Sequence, residues 1–158
     1  QQLLDTHREF GRNPARLSYG RGRPRPLFLG AAPKVILANL PSLQLRRLFD
    51  ASHTDIASAG LPGDWPAFRQ HFNRIRKAGH YFSNGELEPE LAALAVPLLH
   101  HNSPAHGPSV LLGAISLVGP VQRMDLVDLP KLTGLLERAA QHIGQRIHDK
   151  TGGPPVGA

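Results

Sequence analysis

Two apolar segments joined by a short loop constrain the fold of this chain most strongly. The segments Leu91–Leu99 and Val110–Val118 are almost continuously apolar, which is typical of buried β-strands. The loop between them, His100–Ser109, contains two prolines and one glycine. Since parallel strands require a crossover of a dozen or more residues, this short loop predicts an antiparallel pair.

Helical patterns precede this strand pair. Lys34–Leu40 is predicted to be a short apolar helix, with Pro33 in its first turn and Pro41 at its end. Ser42 is a candidate N-cap for a second helix, because its hydroxyl can accept a hydrogen bond from a free amide of the first turn.

A third helix is expected to begin after Asp64, another preferred N-cap, and to end at Gly79. His80–Ser83 then has the pattern of a short strand. Near the C-terminus a long amphipathic helix is predicted over Asp128–His148. Its apolar stripe consists of Leu129, Leu132, Leu136, Ala139, Ile143 and Ile147.

The N-terminal region is rich in arginine, glycine and proline. Leu3–Asp5 and Arg16–Tyr19 have the pattern of short strands, and Gly20–Pro26 is a connector that cannot be helical. The chain has a net charge of +6. The arginines of this region are Arg8, Arg12, Arg16, Arg21, Arg23 and Arg25. Because glycine and proline interrupt them, no helical face can present them to a DNA groove.

A second group of basic residues lies on the third predicted helix. Arg74, Arg76 and Lys77 are assigned to its solvated face. A direct nucleic-acid role for this chain is therefore not favoured.

Together these patterns predict an α+β domain in which an antiparallel β-sheet is flanked by α-helices. Residues 1–150 are assigned to this single domain, and residues 151–158 to a disordered tail. No apolar run approaches the roughly 18 residues of a membrane span. The chain contains no cysteine, which excludes disulfides and thiolate chemistry, and a cytoplasmic location is expected.

No motif for enzymatic chemistry is found. Gly20–Gly22 precedes no βαβ unit, and Ser116 lies within a strand instead of at a nucleophile elbow. Glu86, Glu88 and Glu90 could act as paired carboxylates, but a solvated edge is the preferred interpretation.

The histidines of the loop between the two long strands raise the question of a metal site. His100, His101 and His106 could hold zinc together with a further ligand. No fourth protein ligand is evident, so a polar surface loop is preferred. Neither a metal nor a cofactor is predicted.

The start of the first helix has the features of an anion site. Gly30, Ala31 and Ala32 immediately precede that helix, so the amides of the two alanines would point out of its N-terminus. Their small side chains permit a ligand to approach closely. The feature gains weight if Ser116, from the second long strand, faces the same cavity.

Five segments occur in a recognisable order. They are Pro26–Pro41, Ile75–Tyr81, Leu94–Leu98 after Glu86, a closing helix with Ala140, Ile143 and Gly144, and, most specifically, Gly113–Arg123 with the sequence GAISLVGPVQR. Together they resemble the effector-binding domain of IclR-type transcription regulators. The resemblance extends over about Leu3 to Ile147. It implies a GAF-like domain that binds small organic acids, that reaches DNA only through a winged helix-turn-helix missing from this chain, and that forms homodimers or tetramers.

The resemblance also implies a set of effector-binding residues. They are Leu17, Arg25, Ala31, Ala32, Ser83, Leu91, Ala93, Ser116 and Val118. The chain departs from the family pattern at Pro33, Glu90 and Val118, and at the last of these a hydroxyl is lost.

The loss of that hydroxyl makes the expected wall of the pocket more apolar. We therefore expect an effector with one carboxylate and a larger apolar or aromatic body. Arg25 either pairs with this carboxylate or is a solvated arginine of the connector.

Two other functions remain possible at the level of sequence. One is a dimerisation or interaction module with a degenerate pocket, and the other, less favoured, is a small hydrolase that uses a histidine. The first would have a filled cavity beside Ala31 and Ser116.

Overall fold

The computed structural model describes residues 3–12, 17, 22, 24–100 and 109–151 of the chain. The described elements, in chain order, are β1 (Leu3–Leu4), β2 (Pro24–Arg25), α1 (Ala31–Asn39), α2 (Ser42–Ala51), α3 (His53–Ser58), α4 (Trp65–Ala78), β3 (Tyr81–Asn84), β4 (Leu91–His100), β5 (Val110–Pro120), α5 (Val121–Met124) and α6 (Leu129–Thr151).

An antiparallel sheet in the order β3-β4-β5 forms the centre of the domain. The predicted antiparallel pairing of the two long apolar segments is confirmed, with Leu94 opposite Leu117 and a bulge between Leu98 and Leu99. β5 continues through Pro120 instead of ending before it. Pro120 can lie there because β5 is an edge strand among the described strands, where a missing N–H interrupts no ladder.

One face of the sheet packs against α1, and α1 packs in turn against α4. Tyr81, Ala93 and Ala95 belong to this face, and alternation along the strands brings them together. The core behind them contains Phe28, Ala31, Val35, Leu37, Ala38, Phe68, Phe72 and Ile75.

The other face of the sheet is covered by α6. Ala92 and Leu94 are buried there with Met124 of α5. Leu129, Leu132 and Leu136 of the predicted stripe do pack on this face, but Ala139 and Ile143 are exposed, with Ala140 and Gly144 buried instead. The side of α6 that faces the sheet therefore changes along the helix, because the C-terminal half of α6 lies against the backbone of β4 at Gly144. The predicted α+β class, a sheet flanked by helices, is confirmed.

The predicted starts of α1 and α2 differ from the structure. α1 begins at Ala31, three residues before its predicted start. Ser42 is the first residue of α2 and not its cap, because Pro41 occupies the N-cap position without a side-chain hydrogen bond. The prediction for the third helix is confirmed, since Asp64 accepts a hydrogen bond from Ala67 N–H at 2.9 Å and Gly79 adopts a left-handed conformation.

Arg76 is not simply part of a solvated face. Its guanidinium donates to the carbonyl oxygens of Ala38 and Leu40, the latter at 2.8 Å. These carbonyls lie at the end of α1, where they have no helical partner. Arg76 thus joins the C-terminus of α1 to α4.

The N-terminal region forms a small ribbon. Leu3 pairs with Arg25 and Leu4 with Pro24, so the predicted connector Gly20–Pro26 contains a two-residue strand. The predicted strand at Arg16–Tyr19 lies outside the described residues except for Leu17. α6 extends to Thr151, one residue into the predicted tail, and residues 152–158 are also outside the described part. Among the described helices, none is long and apolar enough to cross a bilayer.

Alanine substitution is expected to have different effects at two glycines of α6. A Cβ on Gly144 would collide with the Leu99 carbonyl oxygen, whereas one on Gly134 meets only the flexible Arg138 side chain at 3.5 Å. Gly144→Ala should lower the free energy of unfolding by roughly 1–3 kcal/mol through overpacking. Gly134→Ala should leave it unchanged or raise it by up to about 1 kcal/mol through helix propensity. Urea denaturation of both variants measures this, and an equal effect at the two sites would contradict the close packing of α6 on β4.

Candidate functional site

A cavity lies between the start of α1, the sheet and the turn that follows β3. Its volume is about 30 Å³, room for one or two water molecules. The lining residues are Arg25, Gly30, Ala31, Ala32, Ser83, Leu87, Glu88, Leu91, Ala92, Ala93, Ser116 and Val118.

The N-terminus of α1 forms one side of this cavity. Gly30 precedes the helix with φ 86° and ψ 171°, a conformation that is essentially restricted to glycine. Ala31 and Ala32 are the first two helical residues, and amides at these positions have no partner within the helix. Pro33 follows with no N–H at all, so the two alanines supply the donors of the first turn.

The sheet forms the opposite wall. Ser83, Ala93 and Val118 are direct neighbours across the three strands and therefore lie on one face. Ser83 is buried, with its hydroxyl donating to the Ala93 carbonyl oxygen at 3.5 Å. Ser116 lies opposite Ala95 and is exposed, which places it at the rim on the edge strand.

The structure brings eight of the nine sequence-predicted residues to this cavity. Leu17 is the exception: it is half-buried, but it is not among the lining residues. Gly30, named from the sequence at the helix start, also lines the cavity, and the lining residues that the sequence did not indicate are Leu87, Glu88 and Ala92. Leu87 and Glu88 lie in the turn after β3, and no periodicity in the sequence indicates which way a turn folds.

Arg25 is not a solvated arginine, which corrects one of the two alternatives for it. Only 7% of its side chain is exposed, and its guanidinium pairs with Asp5 at 3.2 Å across the β1–β2 ribbon. Arg8 also pairs with Asp5, at 2.8 Å. The buried arginine supports the cavity wall and brings positive charge to it.

Glu86 is not part of a solvated edge either, which corrects the preferred interpretation for this glutamate, whereas Glu90 is exposed. Its Oε2 lies 2.7 Å from Lys34 Nζ and accepts from the Gly30 N–H at 3.0 Å. Its Oε1 accepts from the Tyr81 hydroxyl at 2.8 Å. Lys34 is almost fully buried, so a buried ion pair lies directly beside the cavity. We call these side chains, Lys34, Tyr81 and Glu86, the Glu86 cluster.

The surroundings of the Glu86 cluster shift its pKa values. Burial raises the pKa of the Glu86 carboxyl, but the hydrogen bonds from Lys34, Gly30 and Tyr81 outweigh this and hold it below the ordinary 4.5. Burial and the bond to Glu86 raise the pKa of Tyr81. Burial, with the charges of Lys34 and Arg74, lowers the pKa of His71. At neutral pH Glu86 is therefore ionised and both Tyr81 and His71 are neutral.

Within the described residues, no group of three or more potential ligands could hold a metal ion. His101 and His106 of the predicted histidine cluster lie outside the described part. The polar groups around the cavity are thus amides, hydroxyls, one arginine and one glutamate. Such a set can bind the polar end of a small molecule.

Comparisons with known proteins agree with this geometry. The family described as "Bacterial transcriptional regulator IclR C-terminal" matches residues 8–145. The chain is 27% identical over 137 residues to the HTH-type transcriptional regulator KipR of Bacillus subtilis, covering 87% of this chain and 52% of KipR. The chain thus spans about half the length of this curated relative.

Solved structures show the same fold. The IclR of Thermotoga maritima superposes with a TM-score of 0.69 at 19% identity, covering 86% of this chain and 53% of that one. The inducer-binding domain of PobR from Acinetobacter, a double mutant in complex with 3-hydroxybenzoic acid, superposes with a TM-score of 0.61 at 21% identity, covering 82% and 73%.

The chain therefore belongs to the IclR family of bacterial transcriptional regulators, and it corresponds to their C-terminal, effector-binding domain. The resemblance stated from the sequence is confirmed. The family match and the name of KipR agree with the prediction that the chain is part of a transcription regulator and not an enzyme.

The buried ion pair makes a prediction about stability. Lys34→Met or Glu86→Gln alone leaves the remaining charge buried without its counterion, and each should lower the free energy of unfolding by roughly 3 kcal/mol at pH 7. The double variant removes both charges and should recover most of this loss. A double-mutant cycle by urea denaturation measures the coupling energy between the two charges. If the losses of the two single variants simply added in the double variant, the charges would not stabilise each other.

The same cycle has a defined pH dependence. The pKa of Glu86 is lower in the folded protein than in the unfolded chain. The ionised carboxylate therefore contributes fully to the free energy of unfolding above pH 4.5, and this contribution is lost as the pH falls through the folded-state pKa. The difference between wild type and Glu86→Gln should therefore shrink below pH 4.5. If the difference in the free energy of unfolding stayed constant down to pH 3, the charge of the Glu86 carboxylate would not be the source of the stabilisation.

Proposed function

We propose that the cavity is the effector site of this domain and that it binds the carboxylate end of a small organic acid. The observation that carries the proposal is the convergence of two helix-N-terminal amides, those of Ala31 and Ala32, with Ser83 and Arg25 on one partly open cavity. Amides at a helix N-terminus favour an anion through their free donors and the helix dipole.

A structural relative supports the chemical class. The PobR inducer-binding domain, which shares the fold, is described with 3-hydroxybenzoic acid. In this chain the cavity of about 30 Å³ accommodates little more than a carboxylate. The larger apolar body expected from Val118 therefore requires the cavity to widen at its mouth, where Leu87, Glu88 and Leu91 lie.

The whole protein, in this proposal, is a cytoplasmic DNA-binding regulator. Its winged helix-turn-helix reads DNA, and this domain assembles as a homodimer or tetramer. An acid that binds one arrangement of subunits more tightly than another shifts the population toward that arrangement. Sedimentation with and without the acid tests the assembly.

Filling the cavity should weaken binding. Ala93→Val adds two methyl groups at a wall position, and we expect it to weaken binding of 3-hydroxybenzoate or pyruvate by roughly tenfold or more. The matched control is Ala139→Val, the same change at an exposed position of α6. Calorimetric titration measures both. Equal affinities in the two variants would place the ligand elsewhere.

Restoring the missing hydroxyl should change the preference among acids. Val118→Ser adds a hydroxyl to the wall beside Ser83 and Ala93. We expect pyruvate and glyoxylate to gain up to about tenfold in affinity, equivalent to one hydrogen bond, with little gain for benzoate. A gain for benzoate alone would contradict a polar contact at this position.

A second candidate is an interaction module with a degenerate pocket. The small volume of the cavity and the glutamate at its lining favour it. Titration distinguishes this module from an effector-binding domain. In an interaction module none of these acids would bind the wild-type domain, while the domain would still associate with itself.

A further inference from the structure

The turn between β3 and β4, residues 85–90, forms the lip of the cavity. Leu87 and Glu88 line the cavity from this turn. Gly85 begins the turn with φ 66° and donates its N–H to the Leu91 carbonyl oxygen at 2.9 Å. The Leu91 N–H in turn donates to the Glu88 carbonyl oxygen, also at 2.9 Å. These bonds shape the turn itself but do not attach it to α1.

Glu86 supplies that attachment. From the middle of the turn its carboxylate reaches the Gly30 amide and the Lys34 ammonium of the α1 region, and the Tyr81 hydroxyl of β3. Lys34 also donates to the Tyr81 hydroxyl at 3.2 Å, which closes the cluster. Because these bonds are charge-assisted and largely buried, they are stronger than ordinary surface hydrogen bonds.

The position of Glu86 also determines which donors stay available in the cavity. Its carboxylate occupies the Gly30 amide and neutralises Lys34. An acid entering the cavity therefore meets the amides of Ala31 and Ala32 and not the lysine ammonium. Glu86 thus influences both the shape of the lip and the electrostatic environment of the cavity wall that α1 forms.

We propose that Glu86, held by Lys34 and Tyr81, is the positioning residue that fixes the lip of the cavity against the N-terminus of α1. The relevance to effector recognition rests on the proposed function, but the attachment itself does not. Loss of the cluster releases residues 85–90 from α1 and opens the cavity at Leu87 and Glu88. The core around Phe68 and Phe72, on the far side of α1, stays packed.

Hydrogen exchange tests this without a ligand. In Glu86→Ala, exchange at amides 85–91 and 30–32 should rise about tenfold or more beyond the rise at amides 68–75 of α4, which reports only the loss of global stability. The matched control is Glu90→Ala in the same turn, whose side chain is exposed and does not line the cavity. It should leave all these rates unchanged, because the contact of Glu90 is its backbone carbonyl, which accepts from Val121.

A second variant keeps the test decisive if Glu86→Ala destabilises the whole domain. Tyr81→Phe removes one hydroxyl from the cluster and keeps the ring, so a smaller local rise of a few-fold is expected over the same amides. Unchanged rates at 85–91 in both variants, or an equal rise in every element of both, would overturn the proposal.

Titration with 3-hydroxybenzoate and pyruvate separates this proposal from the proposed function. Faster exchange at the lip together with no binding by wild type would retain the positioning role and reject the organic-acid site. Binding by wild type that Glu86→Ala weakens and Glu90→Ala does not would support both.

Discussion

The domain depends on a central strand that is packed on both faces. β4 presents Ala93 and Ala95 to α1 and presents Ala92 and Leu94 to α5 and α6. Small side chains on the α1 side let the helix approach the sheet closely. They also leave the cavity unfilled where the helix begins, so the same residues that bring the two layers together create the candidate site.

The second constraint is electrostatic. A buried lysine and a largely buried glutamate are costly to desolvate, and they persist only where geometry and extra hydrogen bonds compensate. Here Gly30 and Tyr81 provide these bonds, and each belongs to a different part of the fold. The cluster therefore joins three segments, the start of α1, β3 and the turn at 85–90, beside the cavity. Its location links the stability of the domain to the shape of the site.

Regular patterns made much of this architecture predictable. Continuous apolar runs defined β4 and β5, the loop length between them required antiparallel pairing, and Asp64 and Gly79 marked the ends of α4. The small residues at the start of α1, with motifs resembling the IclR family, pointed to eight of the residues that line the cavity. These predictions succeeded because hydrophobic periodicity and capping are local properties, and because the motifs carry the arrangement of a shared fold.

The sequence by itself determined the class of the fold, the family and the small-residue side of the site. Only the tertiary structure decided the roles of Glu86 and Arg76, which the sequence had assigned to solvent. It also decided the role of Arg25, for which the sequence had left two alternatives open. Charged side chains look alike in sequence whether they face water or a buried partner. Whether such a residue is buried depends on partners brought from distant segments, as Lys34 and Gly30 are brought to Glu86.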